Sequence, residues 1–204
     1  MKIGIPSEIK AQESRVGLTP LSVQELTNHG HDVLVQHNAG YGAGFENEDY
    51  QKAGAQITDD LSSANIIFGV KEVDISFLIK NKTYLFFSHT SKVRQYIGQT
   101  IKDESIIYKK ELLREVIKKK ITLIDYENIR DASGEGYRYL GFGRFAGIIG
   151  TYNTLNLYLN LNNKQQLPRA FEINNYEQVK RLVSKQNFNK LKILLTGSGR
   201  ASKG

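Results

Sequence analysis

Short apolar runs of strand length alternate along this chain with segments of helical character. The runs lie at residues 2–6, 32–36, 55–58, 66–70, 84–87 and 121–126. This alternation is typical of α/β proteins, in which parallel strands are joined by helices that cover both faces of the sheet. We therefore predict an α/β fold with a mostly parallel sheet, of the flavodoxin-like or Rossmann-like kind.

Helix signals fall between the predicted strands. Thr19 and Pro20 suit the N-cap and the first position of a helix, and Gly30 suits its end. Further helices are predicted at residues 47–53, 92–102, 110–119 and 175–186, and a long one at 143–161. We expect the chain to cross from a first domain to a second along the long helix.

The final residues resemble the opening of a dinucleotide-binding βαβ unit. An apolar strand is predicted at 191–196, and Gly197 and Gly199 stand where such a unit has its tight turn and its approach to pyrophosphate. With Arg200 they are the predicted cofactor contacts, although Ser202 replaces the usual third glycine. A strand followed by Gly-Ser-Gly is also common as an ordinary turn, so both interpretations stay open on this motif alone.

These boundaries predict three parts. Residues 1–142 form a substrate-binding catalytic domain, 143–190 form inter-domain helices, and 191–204 begin a nucleotide-binding domain. The helix N-terminus that should hold pyrophosphate, and an acidic residue about twenty positions later for the ribose, would lie beyond Gly204. We therefore expect the 204-residue chain by itself neither to turn over substrate nor to bind NAD tightly.

Composition argues against several classes of function. The chain has no cysteine, which rules out disulfides, thiolate metal ligands and a thiol nucleophile, and we predict no metal site. Its net charge of +7 could suit nucleic acid, but the basic residues are scattered among 21 acidic ones, so no nucleic-acid partner is predicted. The apolar runs are too short to span a membrane and the chain opens directly as a strand, so we expect a cytoplasmic protein.

Polar side chains follow several of the predicted strands. Arg15 lies in the loop after the first strand, Lys71 and Glu72 follow the strand at 66–70, and His89 comes soon after the next one. The carboxyl ends of parallel strands meet at one edge, where open α/β sheets place their sites. Lysine and histidine can move protons there, and an arginine fork can hold a carboxylate. Each residue could instead be a polar group that simply ends a strand.

Several segments together resemble the superfamily of alanine dehydrogenase, transhydrogenase and saccharopine dehydrogenase. The first are IGIPSEIK at residues 3–10, ESRVGLTP at 13–20 and NAGYGAGF at 38–45. Three later segments are more similar to lysine-forming saccharopine dehydrogenases than to alanine dehydrogenases: FSHTSK at 87–92, LIDYE at 123–127 and GFGRFAGI at 141–148. The resemblance covers nearly the whole chain, and its motifs occur in the order expected for the family.

The resemblance implies an NAD- or NADP-linked oxidation of a secondary amine to an imine, then hydrolysis to an amino acid and a 2-oxo acid. Lys71 and His89 match the acid–base pair of the family, and Arg15 matches the residue that binds a substrate carboxylate. The remaining substrate-pocket positions that it implies are Glu72, Lys92, Glu127 and Arg138. The implied partner is a small amino-acid substrate, and the oligomeric state is left open.

Two departures from the family pattern leave the substrate open. Residues 92–111 are longer and more charged than expected and lack a glutamine–proline–tyrosine run, and residues 134–137 are stretched before Arg138. The leading hypothesis is a lysine-forming saccharopine dehydrogenase, and alanine dehydrogenase is the alternative within the class. A binding or regulatory module that kept the fold without the chemistry is the alternative of another class.

Two groups of glycines also allow alternatives. Gly40, Gly42 and Gly44 could form an anion-binding nest, or they could shape a loop at the domain interface, which we favour because nothing ties them to a phosphate. Gly143 and Gly147 could mark an approach to the cofactor, or they could allow close packing at the start of the long helix.

Overall fold

The computed structural model describes residues 1–100, 102–132, 138–162, 164, 166–188 and 191–204. The chain divides into two compact units, Met1–Leu140 and Gly141–Gly204. Each unit buries apolar clusters of its own. In the described part of the chain, no helix combines the length and the apolar character needed to cross a membrane.

The Met1–Leu140 unit is built on one parallel sheet. Its strands are β1 Lys2–Ile5, β2 Asp32–Val35, β3 Gln56–Ile57, β4 Ile66–Lys71, β5 Thr83–Phe87 and β6 Thr122–Asp125. They lie in the order β3-β2-β1-β4-β5-β6, and every neighbouring pair is parallel. The direction of winding changes between β1 and β4, and in open α/β sheets the crevice at such a point is where ligands bind. The predicted α/β fold with a parallel sheet is confirmed.

In the described part of this unit, three α-helices connect the strands: α1 Pro20–Asn28, α2 Asn47–Lys52 and α3 Glu104–Lys118. The predicted start of α1 is confirmed, because Thr19 caps it by accepting the N–H of Ser22 at 3.3 Å and Pro20 is its first residue. Gly30 follows the end of α1 with a φ of +79°, a conformation that favours glycine.

The helices predicted at 92–102 and 110–119 were wrong in their bounds. The first is a 3₁₀ helix, Thr90–Tyr96, and Ile101 of the predicted range lies outside the described residues. The second is α3, which begins earlier because the carboxylate of Asp103 caps it by accepting the Ser105 N–H at 2.9 Å. The sequence reasoning missed this cap.

Alternate strand residues pack on opposite faces of the sheet, as the period of two dictates. Val33 and Val35 of β2 join a cluster that includes Val23 of α1 and Tyr50 of α2. Leu34, between them, belongs to the cluster on the other face, with Leu112 of α3. Burying one such aliphatic side chain stabilises the fold by about 1.5–3 kcal/mol. Because each face of the sheet packs against helices, burial of this kind stabilises both faces.

The described residues of the Gly141–Gly204 unit form two α-helices, α4 Gly143–Leu161 and α5 Tyr176–Ser184, near the predicted positions. They pack around Tyr152, Leu159 and Val179. The strand predicted at 191–196 is not formed, and this segment has no regular secondary structure. A strand needs backbone hydrogen bonds from a neighbouring strand, and the described residues of this unit form only helices, turns and irregular segments.

Candidate active site

Three adjacent strands deliver polar side chains to one edge of the sheet. Lys71 is the last residue of β4, His89 lies two residues after β5, and Glu127 lies two residues after β6. Since these strands are neighbours and parallel, their carboxyl ends meet at the same edge. The structure therefore brings together three of the residues singled out in the sequence.

The imidazole of His89 lies between a lysine and a carboxylate. Lys71 Nζ is 3.3 Å from His89 Nε2, and His89 Nδ1 is 3.1 Å from Glu127 Oε1. An ammonium group can only donate, so beside a charged Lys71 the ring accepts at Nε2 and carries its proton on Nδ1. The Nδ1 contact is not aligned as a hydrogen bond, but it sets the N–H beside a negative charge. Lys71 and His89 are thus close enough to exchange a proton.

Glu127 is buried, with 7% of its surface exposed, and its charge is balanced from two sides. Arg138 Nη1 donates to Glu127 Oε1 at 3.2 Å, so the guanidinium and the His89 imidazole share one carboxylate oxygen. A buried carboxylate needs such partners because its desolvation is costly. The structure thereby joins Glu127 and Arg138 to His89. The stretched segment predicted at 134–137, before Arg138, lies outside the described residues.

Glu8, in the loop after β1, is a site residue that the sequence reasoning did not single out. Its carboxylate accepts the backbone N–H of Val70 at 2.6 Å and that of Lys71 at 3.0 Å. These bonds fix the end of β4, where the pairing with β5 is irregular, and so they fix the base of the Lys71 side chain. Burial raises the pKa of Glu8, and the two backbone hydrogen bonds oppose that increase.

Arg15 is engaged by a carboxylate of the protein itself. Its Nε donates to Glu13 Oε1 at 2.7 Å and its Nη2 donates to Glu13 Oε2, so a two-point contact fills one edge of the guanidinium. The hydrogen bond from Arg15 lowers the pKa of Glu13. The charge of Lys71 acts on Glu13 and that of Glu8 on Arg15, which places this pair in the neighbourhood of the site. A substrate carboxylate would bind at another edge of the fork or displace Glu13.

The two remaining predicted pocket residues differ in their surroundings. Glu72 is 8% exposed and its Oε1 accepts from Lys10 Nζ at 2.8 Å. Burial opposes the ionisation of Glu72, but the hydrogen bond and charge of Lys10 hold its pKa below the usual value. Lys92 is exposed in the 3₁₀ helix that follows His89, and its backbone N–H donates to the His89 carbonyl at 3.3 Å. Among the described contacts, none joins the Lys92 side chain to the other site residues.

An aromatic ring packs on the histidine, and a second ring packs behind the first. Phe87 stacks on the His89 ring at a centroid distance of 6.3 Å, and Tyr126 packs edge-on against Phe87 at 5.1 Å. Burial, together with the negative charge of Glu8, raises the pKa of Tyr126 to about 12. The Tyr126 hydroxyl therefore stays protonated at neutral pH and acts as part of the wall of the site.

Glycines allow the loops around Arg15 to pack closely. A Cβ on Gly42 would lie 3.0 Å from Ser14 Cα, next to Arg15, and a Cβ on Gly40 would crowd the Tyr50 ring at 2.6 Å. A Cβ on Gly17 would overlap the backbone carbonyl of Phe68 in β4. These contacts support the interpretation that the glycine-rich segment shapes a loop.

A cavity of about 580 Å³ opens next to these residues but is not centred on them. Its floor includes Ile67 and Tyr84, and Glu8, Lys71 and Glu72 lie on its wall. Lys71 thus lines the cavity, whereas the residues outside its lining are His89, Arg15, Glu127 and Arg138. Within the described residues, no three His, Asp or Glu side chains are grouped so that they could hold a metal ion.

The glycine-rich turn near the end of the chain has an open backbone at Gly199. Gly197 has a φ of +88°, which favours glycine, and a Cβ on Gly199 would meet nothing within 4 Å. The N–H of Lys203 donates to the Gly199 carbonyl at 3.2 Å, which is the pattern of a first helical turn. The predicted cofactor contacts Gly197 and Gly199 therefore lie in a turn, and their role stays a prediction.

The start of α4 packs against this same turn. A Cβ on Gly147 would overlap the Ala201 carbonyl, and a Cβ on Gly143 would lie 3.0 Å from the Cβ of Arg200. Gly143 and Gly147 are thus needed for close packing, which supports the second of the two interpretations considered for them. Arg200, a predicted cofactor contact, lies against the start of α4.

Comparison with known proteins finds one matching family model and several relatives. Residues 4–148 match the model described as "Alanine dehydrogenase/PNT, N-terminal domain". The bovine (Bos taurus) mitochondrial alpha-aminoadipic semialdehyde synthase is 36% identical over 150 residues, covering 73% of this chain and 14% of that protein. Alanine dehydrogenase of Staphylococcus epidermidis is 37% identical over 139 residues, covering 66% of this chain and 33% of that protein. The chain spans a third or less of the length of these two relatives.

Solved structures share the fold. An L-alanine dehydrogenase matches with a TM-score of 0.64 and 29% identity, over 79% of this chain and 42% of the other. A transhydrogenase from Sinorhizobium meliloti matches with a TM-score of 0.59 over 78% of this chain and 44% of the other, and its 20% identity supports the fold alone.

Proposed function

This chain belongs to the family of alanine dehydrogenase/PNT N-terminal domains, and on that basis we propose that the whole protein is a pyridine-nucleotide-linked oxidoreductase acting on the C–N bond of an amino acid. Its reaction is most like that of lysine-forming saccharopine dehydrogenases, which release an amino acid and a 2-oxo acid. The observation that carries this proposal is the 3.3 Å contact between Lys71 Nζ and His89 Nε2. Both the oxidation and the hydrolysis need a pair of groups that pass a proton.

In the oxidation, a secondary amine loses a hydride from carbon and a proton from nitrogen. The neutral form of Lys71 accepts that proton at Nζ, and His89 accepts it in turn at Nε2. In the hydrolysis, one group takes a proton from the attacking water and the other returns a proton to the departing amine nitrogen. The negative charge of Glu127, 3.1 Å from Nδ1, stabilises the imidazolium that forms between these steps.

The other predicted residues hold the substrate. Arg15 orients a carboxylate once that group competes with Glu13, or it binds the carboxylate at another edge of its fork. Glu72, Lys92 and Arg138 lie next to the pair in sequence or in space and set the charge of the pocket. Contacts from several strand ends to one substrate would give the orientation that proton transfer requires.

The cofactor is NAD or NADP, and its nicotinamide supplies the acceptor for the hydride. Gly197, Gly199 and Arg200 would hold its phosphates, since the backbone at Gly199 is open and a helical turn starts there. We propose that the 204-residue chain alone binds NAD weakly and has no turnover. Calorimetric titration checks this, and a micromolar dissociation constant for NAD would contradict it.

Alanine dehydrogenase is the runner-up within the class, and the 37% identity to the Staphylococcus epidermidis enzyme supports it. A binding or regulatory module is the alternative of another class. The two-point contact of Glu13 on Arg15 supports that alternative, because it occupies the fork expected to bind substrate. The reading frame beyond Gly204 separates the classes: continuation for about 150 residues would supply a second domain of ordinary size.

The test is a spectrophotometric assay of the complete protein with saccharopine and with alanine, each with NAD and with NADP. Turnover of saccharopine supports the leading proposal, and turnover of alanine alone supports the runner-up. The variant His89→Asn should abolish either activity, while the matched variant His37→Asn, whose ring pairs with exposed Asp59, should retain it. A folded complete protein that oxidises neither compound would refute the proposed reaction.

A further inference from the structure

Asp125, the last residue of β6, is a buried carboxylate that the proposed proton transfer does not use. It is 8% exposed. Its Oδ1 accepts the N–H of Glu127 at 2.9 Å and that of Ser88 at 3.4 Å, and its Oδ2 accepts the Ser88 hydroxyl. One side chain therefore binds both the turn that carries His89 and the turn that carries Glu127.

The Ser88 hydroxyl extends this contact to the other side of His89. Ser88 is fully buried, and its Oγ lies 2.8 Å from Thr90 Oγ1 and accepts the Thr90 N–H at 3.2 Å. The residues on both sides of His89 are thus tied to each other and, through Ser88, to Asp125. The Thr90 side chain, 9% exposed, is buried with them.

This anchoring matters because the His89 backbone is in an unfavourable conformation. Its φ is +52°, in the left-handed region that residues with a Cβ rarely adopt. Such a conformation persists only where the surrounding contacts enforce it. The hydrogen bonds of Ser88 and Thr90 flank the strained residue directly, and Asp125 is the charged group on which they converge.

We propose that Asp125 is a positioning residue for His89: it holds the left-handed backbone that presents Nε2 to Lys71, and it holds the Glu127 turn that presents a carboxylate to Nδ1. Its importance for turnover rests on the proposed function, whereas its effect on the His89 ring does not. Among the described hydrogen bonds, none joins the Asp125 side chain to the His89 ring or to the side chains of Lys71 and Glu127. Asp125 acts through the backbone N–H groups of Ser88 and Glu127 and through the Ser88 hydroxyl.

The tautomer of His89 is the property that this arrangement controls. With Nε2 accepting from Lys71 and Nδ1 beside Glu127, the neutral ring carries its proton on Nδ1. Free histidine favours the proton on Nε2. A loss of anchoring should therefore move His89 towards the Nε2–H form, which ring-nitrogen chemical shifts report.

The experiment records ring-nitrogen NMR spectra of the isotope-labelled chain and of three variants. Asp125→Ala should shift the His89 tautomer population from mainly Nδ1–H towards Nε2–H. Asp125→Asn should shift it by less than half as much, because an amide oxygen can still accept from the two backbone N–H groups. Asp103→Ala removes a carboxylate with the same contact to the N–H two residues later, and it should leave His89 unchanged.

A His89 tautomer that is unaltered in folded Asp125→Ala would overturn the proposal. If Asp125→Ala does not fold, Ser88→Ala replaces it, since this variant removes only the hydroxyl between Asp125 and Thr90, and an unaltered His89 there has the same consequence. His29, His31 and His37 serve as internal references, because their signals should not move. The spectra test the positioning even if the complete protein proves to have no dehydrogenase activity.

Discussion

Replacing Glu8 with alanine should destabilise the Met1–Leu140 unit by about 2–4 kcal/mol. The Glu8 carboxylate accepts the N–H groups of Val70 and Lys71, at 2.6 and 3.0 Å. Each buried N–H group that is left without a partner costs about 1–3 kcal/mol. The variant also avoids the desolvation cost of the buried carboxylate, and this gain offsets part of the loss from the two N–H groups. Glu8→Gln should lose less, because its amide oxygen still accepts from one of the two groups.

Chemical denaturation measures the change in free energy of unfolding, and amide hydrogen exchange at Val70 and Lys71 locates it. Both amides should exchange faster in Glu8→Ala than in the wild type. Glu25→Ala, at an exposed position on α1, is the matched control and should change stability by less than about 0.5 kcal/mol. A Glu8→Ala variant within that same margin, with unchanged exchange at the two amides, would refute the reasoning.

The pH dependence of the unfolding free energy provides an independent check on the role of Glu8. Burial raises the pKa of Glu8 above its ordinary value of 4.5, so over the interval above 4.5 the folded state binds more protons than the unfolded state. The contribution of Glu8 to stability therefore decreases as the pH rises through this interval. Glu8→Gln cannot titrate, so the wild type minus Glu8→Gln difference in unfolding free energy should fall with rising pH. A difference that rises instead would contradict the assignment of burial as the main cause.

Three further predictions concern other parts of the chain. Thr19→Ala should destabilise by about 1 kcal/mol in thermal unfolding, because the cap of α1 is lost. Gly150→Ala should stabilise α4 by about 0.5–1 kcal/mol since its Cβ meets nothing, whereas Gly147→Ala, three residues earlier, should displace the turn at 199–204 and speed tryptic cleavage there. In the complete protein, Lys71→Ala should lower kcat by about 10²–10⁴-fold, and unchanged turnover would exclude Lys71 from proton transfer.

The sequence predicted the sheet well because its signals are local. Apolar runs such as 66–70 are buried on both faces of a parallel sheet and so read as strands without any knowledge of their neighbours. The cap of α1 at Thr19 is equally local. The segment at 191–196 has the same apolar pattern, yet it forms no strand, because strand formation depends on a partner that the pattern does not report.

The clustering of polar side chains at the sheet edge was predictable where such residues lie at or just after a strand end, as Lys71 and His89 do. The family resemblance added Glu127 and Arg138. The sequence spacing of these residues does not indicate that Arg138 and His89 both contact the Glu127 carboxylate. Glu13 was not foreseen as the partner of Arg15, although the two are only two residues apart. The contact of Glu13 with Arg15 depends on the conformation of their loop. Closely packed glycines fix that conformation, and local sequence propensity does not determine it.

The anchoring carboxylates show why the remainder of the site needs the folded structure. Glu8 accepts the backbone N–H of Val70 and Asp125 accepts that of Ser88, each from a distant segment, and every residue except proline has such a group. The identities of Val70 and Ser88 therefore do not mark them as hydrogen-bond partners before the strands are assembled.

Since the Glu8 and Asp125 carboxylates fix the backbone on either side of the Lys71–His89 contact, changing them should disturb the geometry of the proposed proton transfer without removing any group that transfers a proton. In the complete protein we therefore expect Asp125→Ala to lower kcat more than it raises KM, because it misplaces His89 but leaves intact Arg15, the proposed binding residue for a substrate carboxylate. Steady-state kinetics on saccharopine and alanine measure this split, and a change confined to KM would show that Asp125 serves substrate binding instead.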